Sequence, residues 1–143
     1  MNVATILKTK GTAVTTARPD QALLEIIQKL SQKKIGAIVV VGDKGSVDGI
    51  ISERDVIKAI SHQGEKALTS PVSQFMTRKV VTCQLSSHVD ELMELMTAGR
   101  FRHLPVVENG SLLGIVSIGD IVRNHVSEVE LEVSAMRNYL ATG

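Results

Sequence analysis

Apolar residues in the first half of the chain follow two different periods. Between positions 23 and 30 they recur at the spacing of one helix face. Residues 38–41 instead form a continuous β-branched run, which is typical of a strand buried on both faces. The pattern predicts, in order, a short helix at residues 3–7, a short strand at Thr16, a helix at residues 23–30, strands at residues 38–41 and 49–51, and a helix that begins at Ser52 and runs through Ile60.

The second half repeats this order after a polar connection at residues 62–71. Residues 72–77 first echo the opening helix at an offset of 69. The elements predicted after them are a strand at residues 80–83, a helix at 89–98, a strand at 104–107, a turn at 109–110, a strand at 112–116 and a helix from Ser117. A tail at residues 126–139 carries apolar residues at helical steps. We expect it to pack on a partner chain or on the protein's own surface, and it is too short to predict a coiled coil.

One segment of the chain occurs twice. Residues 49–57 return as residues 114–122 at an offset of 65. Upstream, at an offset of 66, Thr16, Glu25, Val40 and Val41 match Thr82, Glu91, Val106 and Val107. A doubled unit of this length indicates one architecture built from two similar halves. Each half is small for comfortable stability, so we expect the halves to share a core, with a cleft between them that suits a ligand.

Composition narrows the classes of function. Aromatic residues make up only 2% of the chain and the formal net charge is +1, which argues against single-strand nucleic-acid binding and against binding to an anionic membrane. A single cysteine, Cys83, excludes an internal disulfide and suits a reducing compartment. The chain has no apolar run long enough to span a bilayer and no signal-peptide pattern, so we expect a soluble cytoplasmic protein.

The pattern Ser-x-x-Asp follows a strand of the form Gly-apolar-apolar in both halves. Ser52 and Asp55 are the first copy, and Ser117 and Asp120 are the second. One interpretation is helix capping, with serine at the N-cap and an acid three residues later. The other is ligand binding, in which the carboxylate accepts both ribose hydroxyls while the serine hydroxyl and free N–H groups receive phosphate oxygens. Duplication alone would copy the motif, so both interpretations stay open.

Basic residues precede the central strand of the second half, namely Arg100, Arg102 and His103. The equivalent segment of the first half, residues 34–37, carries a single lysine. Arginine binds phosphate bidentately, so the second-half segment predicts counter-charge for a phosphate. A solvated basic end of a helix is the alternative. Pro105, inside the predicted strand, indicates a bulge or a sheet edge there.

Nucleophilic catalysis has little support in the sequence. Ser52 and Ser117 lack a repeated histidine to act as a base, although His103 could approach Ser52. The remaining histidines are scattered, Cys83 has no cysteine partner, and no glycine-rich phosphate loop is present. We therefore expect no catalytic residues, no bound metal and no enzymatic activity.

Four segments in this order are together highly specific: Ile-Gly-Ala-Ile-Val-Val-Val at 35–41, Gly-Ile-Ile-Ser-Glu-Arg-Asp at 49–55, Arg-His-Leu-Pro-Val-Val at 102–107 and Gly-Ile-Val-Ser-Ile-Gly-Asp at 114–120. With them the chain resembles a tandem pair of cystathionine-β-synthase-type (CBS) domains, the Bateman module, and especially the small stand-alone CBS-pair proteins of bacteria and plant organelles. The resemblance covers about residues 1–127.

The resemblance implies an α/β (α+β) fold of two βαββα repeats packed with pseudo-twofold symmetry, plus terminal helices. It also implies a disc-like homodimer. The expected division of the chain is residues 1–63 for the first repeat with its N-terminal helix, 64–71 for the connection, 72–127 for the second repeat and 128–143 for a C-terminal helix.

Two ligand sites are also implied by the resemblance, because members of this family bind AMP, ADP, ATP, NAD or S-adenosylmethionine in two clefts that mix the halves. In site A, Asp120 would hold the ribose, and the site comprises Thr16, Lys34, Ile35, Gly36, Ala37, Ile115, Ser117, Gly119 and Asp120. In site B, Asp55 would hold the ribose, and the site comprises Ile50, Ser52, Arg54, Asp55, Thr82, Arg100, Arg102, His103 and Leu104. Because Gly119 stands where site B has Arg54, we expect site B to prefer more phosphate charge, and site A to be weaker or tuned to another ligand.

The function implied by the resemblance is a regulatory module that senses energy or cofactor state through an adenine nucleotide and modulates a partner protein. The plant-organelle relatives suggest a thioredoxin-system protein as one such partner. The alternative is a structural or scaffolding dimer with degenerate nucleotide clefts, against which the two intact Ser/Asp pairs argue.

Overall fold

The computed structural model describes residues 1–142. Its elements are, in chain order, α1 (Val3–Lys10), β1 (Thr16–Ala17), α2 (Leu23–Lys33), β2 (Ala37–Val41), β3 (Val47–Ser52), α3 (Glu53–Gln63), α4 (Lys66–Thr69), a 3-10 turn (Val72–Gln74), α5 (Val89–Gly99), β4 (His103–Glu108), β5 (Ser111–Ser117) and α6 (Ile118–Thr142). Two halves of similar design follow one another, which confirms the predicted mixed α and β fold. None of the helices between Met1 and Thr142 combines the length and apolar character needed to cross a lipid bilayer.

Strand β2 is the centre of the first half, with β1 parallel to it on one side and β3 antiparallel on the other. Ile38, Val39 and Val40 are fully shielded from solvent. This burial confirms the strand covered on both faces that the β-branched run predicts. Leu23 and Ile26 of α2 pack into the same core, so the apolar face of that helix is the one predicted from its spacing.

The second half lacks the strand predicted at residues 80–83. Only Cys83 pairs with β4, donating its N–H to the Pro105 carbonyl at 3.0 Å and accepting from the Val107 N–H at 2.9 Å. Extending this parallel pairing to Val81 requires an N–H at position 105, which proline lacks. Val39 occupies the equivalent position of the first half, where the two-residue strand β1 does form. The prediction was wrong because it ignored the donor missing from the neighbouring strand.

A register irregularity lies next to Pro105, between Val106 and Val107, so the predicted bulge is present. The first half has the same irregularity between Val40 and Val41, where no proline stands nearby. The bulge therefore belongs to the repeated design, and the effect of the proline is confined to the missing strand.

Each half packs its opening segment onto the other half. The core of the second half contains Val3, Ile6 and Leu7 from α1, whereas the core of the first half contains Val72 and Met76 from the start of the second. We expected one shared core. The apolar residues instead form two clusters, and the exchanged segments join them. Burial of these segments stabilises the association of the halves because neither half completes its own core.

Two glycines at equivalent positions let the exchanged segments approach the sheets closely. A Cβ atom on Gly49 would lie 2.6 Å from Met76 Sδ and 2.9 Å from the Thr77 carbonyl oxygen. A Cβ atom on Gly114 would lie 3.1 Å from Leu7 Cδ2. The first contact includes a backbone atom, which cannot move aside, while the second involves only the tip of a flexible side chain.

Helix α6 runs without interruption for 25 residues, from Ile118 to Thr142. The division expected at residues 127–128, between the second repeat and a separate C-terminal helix, does not correspond to a break in the helix. Gly143, the last residue of that expected segment, lies outside the described residues. Ile121 near the start of α6 is buried in the core of the second half, so this end of the helix is fixed to the protein.

We predict that Gly49→Ala lowers the free energy of unfolding by about 1–3 kcal/mol, the usual cost of forcing extra atoms into a packed site. Gly114→Ala, its counterpart in the other half, should cost less because Leu7 can shift. The gain from a less flexible unfolded chain is common to both variants and cancels in the comparison. Urea denaturation of the two variants measures the difference, and equal losses would contradict the close approach at Gly49.

Candidate functional site

A cleft of about 920 Å³ opens between the two halves. Its walls come from the end of β3 and the start of α3 on one side, and from residues 99–103 and the start of α6 on the other. Seven of the nine residues expected for site B line it: Ile50, Ser52, Arg54, Asp55, Arg100, Arg102 and His103. Gly36, Ser117 and Gly119, which were expected for site A, line the same cleft.

The other expected residues do not line this cleft. Of site B, Thr82 is exposed and Leu104 is fully buried in the second core, because side chains alternate along β4 and His103 takes the cleft side. Of site A, the residues placed elsewhere are Thr16, Lys34, Ile35, Ala37, Ile115 and Asp120. The structure therefore brings together most of site B and separates most of site A from it.

Asp55 caps its own helix and still keeps one oxygen for other partners. Its Oδ2 accepts from the Ser52 N–H at 2.9 Å and from the Ser52 hydroxyl at 3.0 Å, while the Ser52 Oγ accepts from the Asp55 N–H at 3.3 Å. This reciprocal arrangement is the capping box at the start of α3. The Oδ1 atom accepts only a long bond of 3.4 Å from the Thr77 hydroxyl. A cleft-lining carboxylate thus has an oxygen with capacity to accept from a ligand.

Cations outnumber carboxylates on the cleft walls. Four basic side chains line it, Arg54, Lys79, Arg100 and Arg102, whereas only two carboxylates do, those of Glu53 and Asp55. None of the four cations forms a salt bridge within residues 1–142. Arg100 takes a left-handed conformation with φ 56° where α5 ends, which turns the chain back toward the cleft. The field in the cleft therefore favours an anionic ligand.

His103 lies where the two halves meet. A Cβ atom on Gly36 would approach its Cε1 to 3.2 Å, so glycine lets the imidazole pack against the first half. Burial lowers the pKa of His103, and Lys10 and Arg102 lower it further, while Glu53 and Asp120 act in the opposite direction. The ring is neutral at pH 7 and therefore has one N–H donor and one acceptor nitrogen.

Apolar side chains supply the remaining surface of the cleft. They are Ile50, Ile57, Val80, Val81, Phe101 and Ile118. Ile57 is 69% exposed, which is high for a large aliphatic side chain outside any interface. A lining of apolar side chains together with basic ones matches a ligand that has an apolar ring system and an anionic group.

Asp120, the expected ribose ligand of site A, has both oxygens occupied. Its Oδ2 lies 2.6 Å from the Lys10 ammonium and also accepts from the Ser117 N–H at 2.8 Å, and its Oδ1 lies 2.6 Å from the Arg123 guanidinium. Burial alone would raise the pKa of Asp120, but the hydrogen bonds from Lys10 and Ser117 outweigh it and hold the pKa below its usual range. The carboxylate is ionised and saturated by the protein itself.

Lys10 and Thr77 play equivalent parts in the two halves, because each belongs to an exchanged opening segment. Thr77 gives its N–H to the Ile50 carbonyl at 2.8 Å and its hydroxyl to Asp55. The Lys10 ammonium makes both contacts at once, donating to the Ile115 carbonyl at 2.7 Å and to Asp120. Asp55 thus has a neutral hydroxyl beside it, whereas Asp120 has a bound cation.

Several residues of the site were not predicted from the sequence. They are Lys10, Glu53, Ile57, Thr77, Lys79, Val80, Val81, Gly99, Phe101, Ile118 and Arg123. The echo of residues 3–8 by residues 72–77 was a usable signal for Thr77, because it marks the end of a segment equivalent to the opening helix. The same offset pairs Lys10 with Lys79, so it gave no signal for the contact of Lys10 with Asp120. No cluster of three histidine, cysteine or acidic side chains that could hold a metal ion occurs among the residues from Met1 to Thr142.

Comparison with protein families divides the chain into the same two halves as the fold. The family model described as "CBS domain" matches the chain twice, at residues 9–62 and 72–127. The chain belongs to the CBS-domain family. The two matches agree with the two halves of the structure, each of which contributes one wall of the cleft.

Three similar proteins place the chain among CBS-pair proteins. The "CBS domain-containing protein CBSX3, mitochondrial" of Arabidopsis thaliana is 32% identical, over 99% of this chain and 72% of its own length. The crystal structure of the CBS-domain containing protein ATU1752 from Agrobacterium tumefaciens is 50% identical with a TM-score of 0.83, over 85% of this chain and 91% of that one. The CBS domain pair of protein MJ0100, solved with 5-methylthioadenosine and S-adenosyl-L-methionine, is 26% identical with a TM-score of 0.80, over 90% of this chain and 98% of that one.

We predict that Lys10→Met lowers the free energy of unfolding at pH 7 by about 2 kcal/mol, the usual contribution of a hydrogen bond to a charged group. Because Asp120 has a lowered folded pKa, its stabilisation is complete above the unfolded value of about 3.9 and is lost as the pH falls through the folded pKa. The difference in the free energy of unfolding between wild type and variant should therefore disappear only below about pH 3.9.

Lys8→Met, at an exposed position of the same helix, is the matched control and should change stability by no more than about 0.5 kcal/mol. Urea denaturation across pH 2–7 gives the free energy of unfolding as a function of pH for the wild type and both variants. A gap that stays constant into strong acid would show that Lys10 acts through packing and not through the Asp120 carboxylate.

Proposed function

We propose that this CBS pair is a regulatory module that binds an adenine nucleotide in the cleft at Asp55. The observation that carries the proposal is the Asp55 carboxylate, whose Oδ1 accepts only one long hydrogen bond, in a cleft that is also lined by four basic side chains. The MJ0100 CBS pair, in its solved complex, holds two adenosine derivatives, which supports the same class of ligand here. The proposal is a binding and signalling role and not an enzymatic one.

The expected pose follows from the chemistry of the walls. The ribose hydroxyls donate to the Asp55 Oδ1, with the Thr77 hydroxyl as a second polar partner. The phosphates extend toward Arg100 and Arg102, whose guanidinium groups bind phosphate oxygens in pairs. The adenine ring packs between aliphatic side chains, for which Ile50 is the central candidate.

The charge balance distinguishes between adenosine compounds. Four cations against two carboxylates leave the cleft positive, so AMP, ADP, ATP and NAD should bind more tightly than S-adenosylmethionine, which carries a sulfonium cation. Each added phosphate should strengthen binding, because it adds charge-assisted hydrogen bonds to the arginines. This preference extends the expectation that site B takes more phosphate charge.

Site A is proposed to be closed by the protein's own Lys10. The ammonium occupies the Asp120 carboxylate and the Ile115 carbonyl, which are the acceptors that a nucleoside would need. A ligand must break a short charged contact at a carboxylate that is only 6% exposed before it can bind. We therefore propose one ligand per chain under ordinary conditions.

Regulation is proposed to come from the position of the cleft between the halves. A ligand that touches α3 on one wall and residues 100–103 on the other stabilises one relative arrangement of the halves. The effect on a partner protein is limited by the difference in ligand affinity between the two arrangements. A homodimer and a regulated protein, with a thioredoxin-system protein as one candidate, complete the proposal, and we propose a cytoplasmic location. A scaffolding dimer with an empty cleft is the competing function, and the ligand titration below separates the two.

We predict that isothermal titration with ATP shows one site per chain. Arg102→Glu should weaken ATP binding at least tenfold, on the order of one lost charge-assisted contact, and should leave adenosine binding within about twofold. Lys44→Glu, an exposed charge reversal that does not line the cleft, is the control. Equal losses for ATP and adenosine in Arg102→Glu would contradict a phosphate role, and a wild type that binds none of the adenine ligands would favour the scaffold.

The two aspartates form a matched pair for the same titration. Asp55→Ala and Asp120→Ala each lose the carboxylate half of a capping box, which costs about 1 kcal/mol of stability, and Asp120→Ala loses the Lys10 and Arg123 contacts in addition. Only Asp55→Ala should abolish binding in the cleft. In the double variant Lys10→Met with Arg123→Met, the freed Asp120 should admit a second ligand, raising the stoichiometry from one to two. Binding that survives Asp55→Ala unchanged would reject the assignment of the ribose to this residue.

We predict that ATP binding becomes tighter as the pH falls from 8 to 6, beyond the change due to the titration of ATP itself. The pKa of His103 is lowered in the free protein and an adjacent phosphate raises it, so the complex takes up a proton. His103→Gln cannot take up this proton and reports the contribution of the ligand alone, since phosphates titrate near pH 6. Identical pH profiles for the two proteins would place the phosphates away from His103.

A further inference from the structure

The outer part of α6 is exposed to solvent along its whole length. Every side chain from residue 129 to Thr142 is exposed, and Glu128, 3.8 Å from the N-terminal ammonium, is the last partly shielded residue of the helix. The base of α6 nucleates this segment, but most helical stability in proteins comes from packing of an apolar face, which the segment lacks here. A partner would therefore stabilise it.

An apolar stripe runs along this helix with alternating steps of four and three residues. It consists of Val122, Val126, Val129, Val133, Met136 and Leu140, and each of these side chains is between 44% and 74% exposed. This spacing is that of the a and d positions of a coiled coil, with Val126, Val133 and Leu140 at a. Ile121 and Glu128, which face the protein, lie about 110° away around the helix, so the stripe is free to meet another helix.

The charges beside the stripe select one partner and one orientation. In two parallel copies in register, Glu132 at a g position faces Arg137 at the next e position of the other copy, and His125 likewise faces Glu130. In the antiparallel arrangement with full overlap, Arg123 would meet Arg137, while Glu130 and Glu132 would each meet their own copies. Attraction in the first case and repulsion in the second favour the parallel pair.

We propose that two copies of this chain join through a parallel, in-register, two-stranded coiled coil formed by residues 122–140 of α6. β-Branched valines at two of the three a positions suit two strands, whereas Val122 and Val129 at d positions also suit a third, and sedimentation distinguishes a dimer from a trimer. The pairing gives the outer helix the partner it lacks and sets the two clefts at the same end of the assembly. The inference does not rest on nucleotide binding, because the stripe lies outside the cleft.

Disulfide crosslinking at Met136 tests the orientation directly. Met136 is at a d position, so Met136→Cys places two sulfurs opposite each other only in the parallel pair, within reach of a disulfide. The native Cys83 does not compete, because it is buried and burial raises its pKa to about 11. We expect a crosslinked dimer from Met136→Cys under mild oxidation, and none from Ser134→Cys, which is exposed on the outer face of the same helix.

Charge reversal gives a second, independent readout by analytical ultracentrifugation. Arg137→Glu and Glu132→Arg should each raise the dimer dissociation constant by about tenfold, since reversal converts two symmetry-related attractive pairs into repulsive ones. The double variant should restore the wild-type constant. In an antiparallel pair, Arg137→Glu would tighten the dimer instead, because it would face Arg123.

Three results would overturn the proposal. The first is a chain that stays monomeric at about 100 µM, which would assign the stripe to a different protein. The second is a dimer in which Met136→Cys does not crosslink, which would place the contact on another surface of the chain. The third is equal crosslinking by Ser134→Cys, which would indicate random collision. Loss of nucleotide binding with the crosslink intact would reject only the proposed function.

Discussion

The exchange of opening segments between the two halves is the constraint on which the rest of this structure depends. Helix α1 completes the second core, and the segment that ends at Thr77 completes the first. Because each segment passes over a glycine at close range, its last residues come to lie beside the aspartate of the sheet that it covers. The exchange therefore holds the halves together and also determines which side chains contact Asp55 and Asp120.

Capping and ligand binding, which the sequence presents as alternatives, are compatible at Asp55. One oxygen secures the start of α3 through Ser52, and the other remains available to a ligand. At Asp120 the same cap is present, but Lys10 and Arg123 also bind the carboxylate oxygens, so neither oxygen is available to a ligand. The Lys10 ammonium and the Arg123 guanidinium occupy Asp120, whereas Asp55 meets only the Thr77 hydroxyl, so two aspartates that the duplication began as equals now differ in what they offer a ligand.

Features encoded over a few neighbouring residues were predictable from the sequence, and features that depend on distant ones were not. The buried strand β2 and the capped start of α3 follow from a β-branched run and a Ser-x-x-Asp motif, and both are present. The missing strand at residues 80–83 depends on an N–H absent from Pro105, in a different strand. The Lys10 contact joins residues 110 positions apart, beyond the reach of any local pattern.

Helix α6 begins in the cleft and ends far from it. Ile118 lines the cleft, and from there the helix extends for 25 residues to Thr142, a length of about 37 Å at 1.5 Å per residue. Such a rod amplifies small rotations: a tilt of about 5° at its base carries the tip through roughly 3 Å. An adjustment at the base too slight to disturb the core would therefore become, at the far end, a displacement comparable to the width of a side chain.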